Sequence, residues 1–124
     1  MGRLKPEFID RIDRFCDRVL DVADAGEKRC SSGRILEQIR ACGTSVGANA
    51  CEADEAISRP DFVKCIGIAR RELGEVRFWL RLFGRRGWVT ASRMEPLMSE
   101  AVELTRVMGA IVVRSSERSG VRAS

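Results

Sequence analysis

Apolar residues return along most of this chain at intervals of three and four, the period of a helix with one buried side. Phe8, Ile12, Phe15, Cys16, Val19 and Ala23 mark the first stripe and predict a helix over residues 6–25. Pro6 suits its first turn and Gly26 its end. Ser31 or Ser32 then caps a second helix over residues 34–56, with Ile35, Ile39, Val46 and Ala53 inward. Ser58-Arg-Pro-Asp61 is a sharp boundary, Pro60 closing one helix and Ser58 with Asp61 opening a third over residues 60–85. Gly84 and Gly87 stop it, and Thr90 or Ser92 opens a fourth over residues 92–114. That helix turns Leu97, Met98, Ala101, Leu104, Met108, Ile111 and Val112 inward. No segment alternates as a strand would. Four helices with short connections predict an all-α fold, an antiparallel up-down four-helix bundle over residues 1–116, with a polar tail over 117–124.

The middle of the second helix, CGTSVGANA, is a poor helix in isolation, because each glycine costs about 0.5–1 kcal/mol against alanine. Such a tract persists where a neighbouring helix packs closely on Gly43 and Gly47. The third helix is informative in another way. Phe62, Cys65, Ile66, Ala69, Leu73, Val76, Leu80 and Phe83 form one apolar stripe, while Ile68, Trp79 and Leu82 fall roughly opposite it. A bundle needs one apolar face per helix, so a second one containing tryptophan points to a subunit interface. The alternative is that Trp79 covers a neighbouring helix or loop of its own chain.

Charge changes the picture further. Residues 58–93 carry nine basic side chains against three acidic ones, whereas the flanking segments are balanced or slightly acidic. The net charge of +4 therefore arises from the third helix and the loop after it. Arg70, Arg77, Arg81 and Arg85 fall within one narrow arc of that helix, the electrostatic footprint of phosphate binding. Arginine also suits bidentate pairing with phosphate or carboxylate. Two plainer readings remain: the stripe is a solvated face, or it pairs with the aspartate row of the first helix (Asp10, Asp13, Asp17, Asp21 and Asp24).

Composition argues against chemistry. The chain has no histidine, no glycine-rich phosphate loop and no Glu-x-x-His pair of a di-iron bundle. Five cysteines never fall at C-x-x-C spacing, so no metal or cofactor site is expected and the thiols are read as small core hydrophobes, Cys30 as a loop thiol. Glu52, Asp54 and Glu55 diverge on a helix rather than converge on an ion. The longest uncharged stretch, Ala41 to Cys51, is too short and polar to cross a membrane, and the start of the chain has no apolar leader. A non-enzymatic cytoplasmic protein is expected.

Several segments, in order, resemble the 23S rRNA intervening-sequence proteins. These are Ile35-Leu-Glu-Gln-Ile-Arg40, Ser45-Val-Gly-Ala-Asn49-Ala-Cys-Glu52, Ser58, Asp61-Phe62, Ala69-Arg-Arg-Glu72-Leu and Trp79-Leu80. The sequence departs from that pattern at Ala50, Cys51 and Ala53, where the family prefers Ile, Ala and Gly. The resemblance implies a bacterial four-helix bundle that assembles as a homopentamer and has no catalytic residues. The run Val76-Arg-Phe-Trp-Leu-Arg-Leu82 is also similar to the accessory variability determinant of diversity-generating retroelements. That family implies a basic pentamer that binds nucleic acid and a reverse transcriptase. On the second helix, Gln38, Ser45, Asn49 and Glu52 share one face, away from Ile35, Ile39 and Val46. They suit a hydrogen-bond network between helices or subunits, or alternatively a ligand- or RNA-contacting patch.

The sequence thus predicts a homo-oligomer that binds RNA or another nucleic acid through the arginine face of the third helix. A protein-interaction scaffold, or an accessory subunit of a reverse transcriptase, is the alternative.

Overall fold

A computed structural model describes residues 4–118 as four helices and their connections. They are α1 (Pro6–Gly26), α2 (Gly33–Asp54), α3 (Arg59–Arg85) and α4 (Ala91–Arg118). No strand occurs among the described residues. Each helix packs on the next, and α1 closes the ring against α4, most loosely of the four seams. Neighbours run antiparallel. Gly43 and Gly47 of α2 meet Val19 and Cys16 of α1, while Gly84 and Gly109 meet Met94 and Arg70 across the α3–α4 seam. The architecture is a four-helix bundle in up-down order.

Local chemistry sets the boundaries. The Ser32 hydroxyl accepts the Ile35 N–H at 3.2 Å, and the Ser58 hydroxyl accepts the Asp61 N–H at 3.2 Å. Each satisfies one of the free amides at a helix start. Pro60 occupies the first turn of α3, where its missing N–H costs nothing. Gly87, at φ 70°, ends the segment after α3 in the left-handed region that suits glycine. Its N–H bonds the Gly84 carbonyl at 3.1 Å, and the Trp88 N–H bonds that of Phe83 at 3.0 Å.

The core is continuous from end to end. Phe15, Phe83, Ile12, Ile39, Ile66, Leu73, Leu80, Leu97, Leu104 and Met108 are its largest fully buried side chains. The apolar stripe predicted on the third helix is buried residue for residue. On α2 the inward set is wider than Ile39, Val46 and Ala53, since Leu36, Cys42, Gly43 and Ala50 are also buried. A Cβ built on Gly43 would stand 2.6 Å from Val19 Cγ1, so α1 and α2 approach as closely there as the glycine tract implied.

Two boundaries differ from expectation. α2 stops at Asp54 rather than residue 56, because Glu55 leaves the helical backbone at φ −101° and ψ 10°, and the Ala56 amide bonds the Ala53 carbonyl only three residues back. α4 continues through Arg118 rather than ending near 114, so Glu117 and Arg118 belong to the helix and not to a tail. No glycine or proline interrupts that last turn, and Ser116 is buried. The remainder of the predicted tail, residues 119–124, lies outside the described residues.

Candidate nucleic-acid interface

The candidate surface is carried by α3, whose buried stripe fixes how the rest of the helix meets water. Since a helix turns by about 100° per residue, Arg70, Arg77, Arg81 and Arg85 lie to one side of the stripe, toward α4. Ile68, Glu72, Glu75 and Trp79 lie to the other, toward α2. Two contacts anchor the assignment. The Arg70 Nε donates to the Thr105 carbonyl of α4 at 3.2 Å, and Glu72 and Glu75 are near enough to Cys42 of α2 to disfavour its thiolate.

Arg70, Arg81 and Arg85 are exposed and Arg77 is half-buried. Among the described residues none of the four forms an ion pair. The Arg77 Nε is buried with no hydrogen-bond partner. That nitrogen is shut off from solvent, so any contact of Arg77 with an outside acceptor falls to the remaining N–H groups of its guanidinium. The aspartate row of α1 does not reach these side chains, because α1 packs on α2 and α4 and lies diagonally across from α3. Other pairs occupy that side of the bundle. Arg40 bonds Asp24 at 3.0 Å and Glu27 at 3.5 Å, and Arg11 grips Glu100 through two bonds of 2.8 and 2.7 Å. Hydrogen bonding to Glu100 raises the Arg11 pKa, and the same bond holds the Glu100 carboxyl below its ordinary value.

Ile68, Trp79 and Leu82 are all half-buried. Trp79 packs on the core, and its indole N–H donates to Glu75 Oε2 at 3.0 Å, one turn back on the same helix. Its ring meets Phe78 edge-on, with centroids 4.9 Å apart and planes at 73°. The large aromatic that does face water on α3 is Phe78, 43% exposed. Sequence reasoning passed over it, although 100° steps already place it between the positions of Arg85 and Arg71 on the outer ridge. Val102 and Val113 are the large hydrophobic residues exposed on α4, at 49% and 48%.

The polar set on α2 divides. Ser45 and Asn49 are half-buried, and Asn49 Nδ2 donates to the Ser45 carbonyl at 2.9 Å and to its hydroxyl at 3.0 Å. Gln38 and Glu52 are exposed. The structure therefore brings Ser45 and Asn49 together within one helix and does not join all four across the helices of the bundle.

The thiols are dispersed. Cys42 and Cys65 are buried, Cys16 is half-buried and Cys51 faces water. Cys30 sits in the α1–α2 connection but is buried, its N–H bonded to the Gly26 carbonyl at 2.9 Å. Burial, reinforced by Glu75 and Glu72, pushes the Cys42 thiol up to about 12. Among the described residues no three His, Cys, Asp or Glu side chains gather where they could hold a metal ion. An open groove of about 790 Å³ lies where the starts of α1 and α3 meet the end of α4, lined by Leu4, Lys5, Phe8, Arg59, Phe62, Val107, Ile111, Arg114 and Ser115. That lining offers cations and apolar surface, but no carboxylate, thiol or imidazole for acid–base work. No helix among the described residues is long and apolar enough to cross a membrane.

Fold and surface together define a small four-helix bundle with one basic helical face and a continuous apolar core. The chain belongs to the 23S rRNA-intervening sequence protein family, whose model matches residues 7–110. Among solved structures it is similar to a protein of unknown function from the S23 ribosomal protein family of Bacteroides thetaiotaomicron. The two share 29% identity and superpose with a TM-score of 0.78, over 84% of this chain and 96% of that one. No curated protein matches the chain.

Proposed function

We propose that this protein is a non-enzymatic, self-associating cytoplasmic bundle that binds RNA or another nucleic acid through α3. One observation carries the reading: four guanidiniums, Arg70, Arg77, Arg81 and Arg85, stand on one side of one helix without a carboxylate partner. Unpaired arginines in a row repel one another and gain from a polyanion, which releases its own counterions when they bind. The family's association with ribosomal RNA genes in its name is consistent with that ligand class.

Self-association, as a pentamer by family resemblance, would multiply the row around a symmetry axis and widen the basic surface. Half-buried Ile68, Trp79 and Leu82 of α3, with the Ser45–Asn49 pair of α2, are the contact surface we assign to it. The same half-covered apolar residues favour a second reading, a scaffold or reverse-transcriptase accessory subunit of the diversity-generating retroelement type. Co-purification with a reverse transcriptase from the native host distinguishes that role.

The test of the main reading is salt dependence. Affinity for RNA should fall steeply as salt rises, and Arg77→Ala with Arg81→Ala should flatten the dependence. A double variant that binds RNA as the parent does would remove the arginine face from the account.

A further inference from the structure

The arginine row explains attraction to phosphate but is indifferent to whether the bases are paired. Phe78 is not. Phe15, Phe62 and Phe83 are buried in the core and Phe8 packs against it, whereas Phe78 keeps 43% of its surface in water. It does so inside the most basic segment of the chain. Arg81 follows it by three residues, one helical turn, and Arg71 and Arg85 stand seven residues to either side, all three exposed. Residues three, four and seven apart share a helix face, so the ring is flanked by guanidiniums along the helix axis.

The surface next to the ring is low. Gly74, one turn before Phe78, has only Arg77 Nη2 within 4 Å of where a Cβ would stand, at 3.7 Å. A Cβ on Gly67, two turns earlier still, would meet nothing. The ring is also held rather than loose. Trp79 abuts it edge-on, and Trp79 is itself fixed by its bond to Glu75 and by the core behind it. An edge contact leaves a face of the phenyl ring available. The result is a pre-positioned flat apolar plate rising beside a glycine floor, with cations before and after it over a stretch of about 22 Å.

We infer that the nucleic acid taken by this face is single-stranded, with Phe78 stacking on an unpaired base while Arg71, Arg77, Arg81 and Arg85 hold flanking phosphates. The inference rests on the reading of α3 as a nucleic-acid surface and adds what that surface selects. A duplex presents phosphates outward and keeps its bases stacked inside, so it gives the arginines their partners and leaves the ring with none. An unpaired strand offers both. Aromatic–base stacking tolerates any base, because each has a π-face, so the site is selective for strandedness rather than sequence.

The experiment measures fluorescence anisotropy of a labelled 12-nucleotide oligouridylate and of a labelled RNA duplex of equal length, both at low salt. The proteins compared are the parent, Phe78→Ala, Phe78→Trp and the Arg77→Ala/Arg81→Ala pair, with the mass of each checked by light scattering. The parent should prefer the single strand. Phe78→Ala should weaken that binding roughly 5- to 150-fold, the loss expected from one stacked base, without changing its salt slope or its duplex affinity. Phe78→Trp should retain the preference. If the arginine pair weakens binding but Phe78→Ala binds the single strand as the parent does, the stacking inference is overturned and the arginine face stands. If the parent binds neither probe, both fall. A Phe78→Ala protein of lower mass that loses both probes alike would also overturn the inference, assigning the ring to contacts between subunits.

Discussion

The close approach of α1 and α2 at Gly43 gives a stability prediction whose sign is not the one helix propensity suggests. Alanine is the better helix former, and replacing an interior glycine by alanine ordinarily gains about 0.5–1 kcal/mol. Gly67→Ala on α3 should realise that gain, because the new methyl meets no atom within 4 Å. Gly43→Ala on α2 should not. Its Cβ would stand 2.6 Å from Val19 Cγ1 and 3.1 Å from Val19 Cβ, and Val19 is fully buried. A β-branched side chain on a helix has one favoured rotamer and cannot swing aside, so the clash passes into the backbones of α1 and α2. Overpacking of this kind costs typically about 1–3 kcal/mol, more than the propensity gain. The net expectation is a loss of about 1–2 kcal/mol for Gly43→Ala, leaving the two variants roughly 2–3 kcal/mol apart. Urea unfolding followed by circular dichroism measures this as opposite shifts of midpoint at constant slope, with all proteins at one concentration so that the proposed self-association would contribute equally to each. A Gly43→Ala protein as stable as Gly67→Ala would refute the close approach of α1 and α2.

Other consequences follow from particular contacts. Glu100 titrates below its ordinary value because Arg11 bonds its carboxylate, so the pair stabilises the fold above the unfolded-state pKa and is lost as pH falls through the folded one. Glu100→Gln should therefore cost about 0.5–1 kcal/mol at pH 7, limited by screening of a partly exposed pair, and much less at a pH low enough to protonate the carboxyl in the folded state. An equal cost at both pH values would contradict the ion pair. In thiol labelling at pH 8, exposed Cys51 should react first and Cys42 only on unfolding, since burial holds that thiol protonated up to about 12; mass spectrometry of digests taken over time reads the order. Light scattering of the parent should give a mass well above 13.8 kDa, and Trp79→Arg should lower it. A monomeric parent at micromolar concentration would remove the contact surface assigned to Ile68, Trp79 and Leu82.

How much of this the sequence disclosed depends on how strongly each residue declares itself. The buried stripe of α3 is written in large apolar residues at clean helical spacing, so it could be read residue by residue. On α2 the inward face runs through Cys42, Gly43 and Ala50, whose small or ambiguous side chains carry almost no periodic signal. Their burial is decided by the tight α1–α2 contact, which is visible only in three dimensions. Cys30 is similar: it lies in a connection, yet the backbone bond to Gly26 folds it back under the bundle. The arginine row was legible because four like charges share one arc, but the absence of carboxylate partners was not, since it depends on α1 lying diagonally opposite. Phe78 was concealed for a different reason. Within the run Val76-Arg-Phe-Trp-Leu-Arg-Leu82 every second residue is apolar or aromatic, and the larger indole of Trp79 drew the interface reading that its half-covered position only partly accommodates.

If the guanidiniums of α3 that lack carboxylate partners meet phosphate as proposed, RNA affinity must depend on salt through them. For a single strand the slope of log affinity against log salt is about −0.7 per phosphate neutralised, so removing Arg77 and Arg81 together should flatten it by about 1.4. A slope that is the same in the double variant and the parent, with affinity unchanged, would show that these side chains do not touch the ligand.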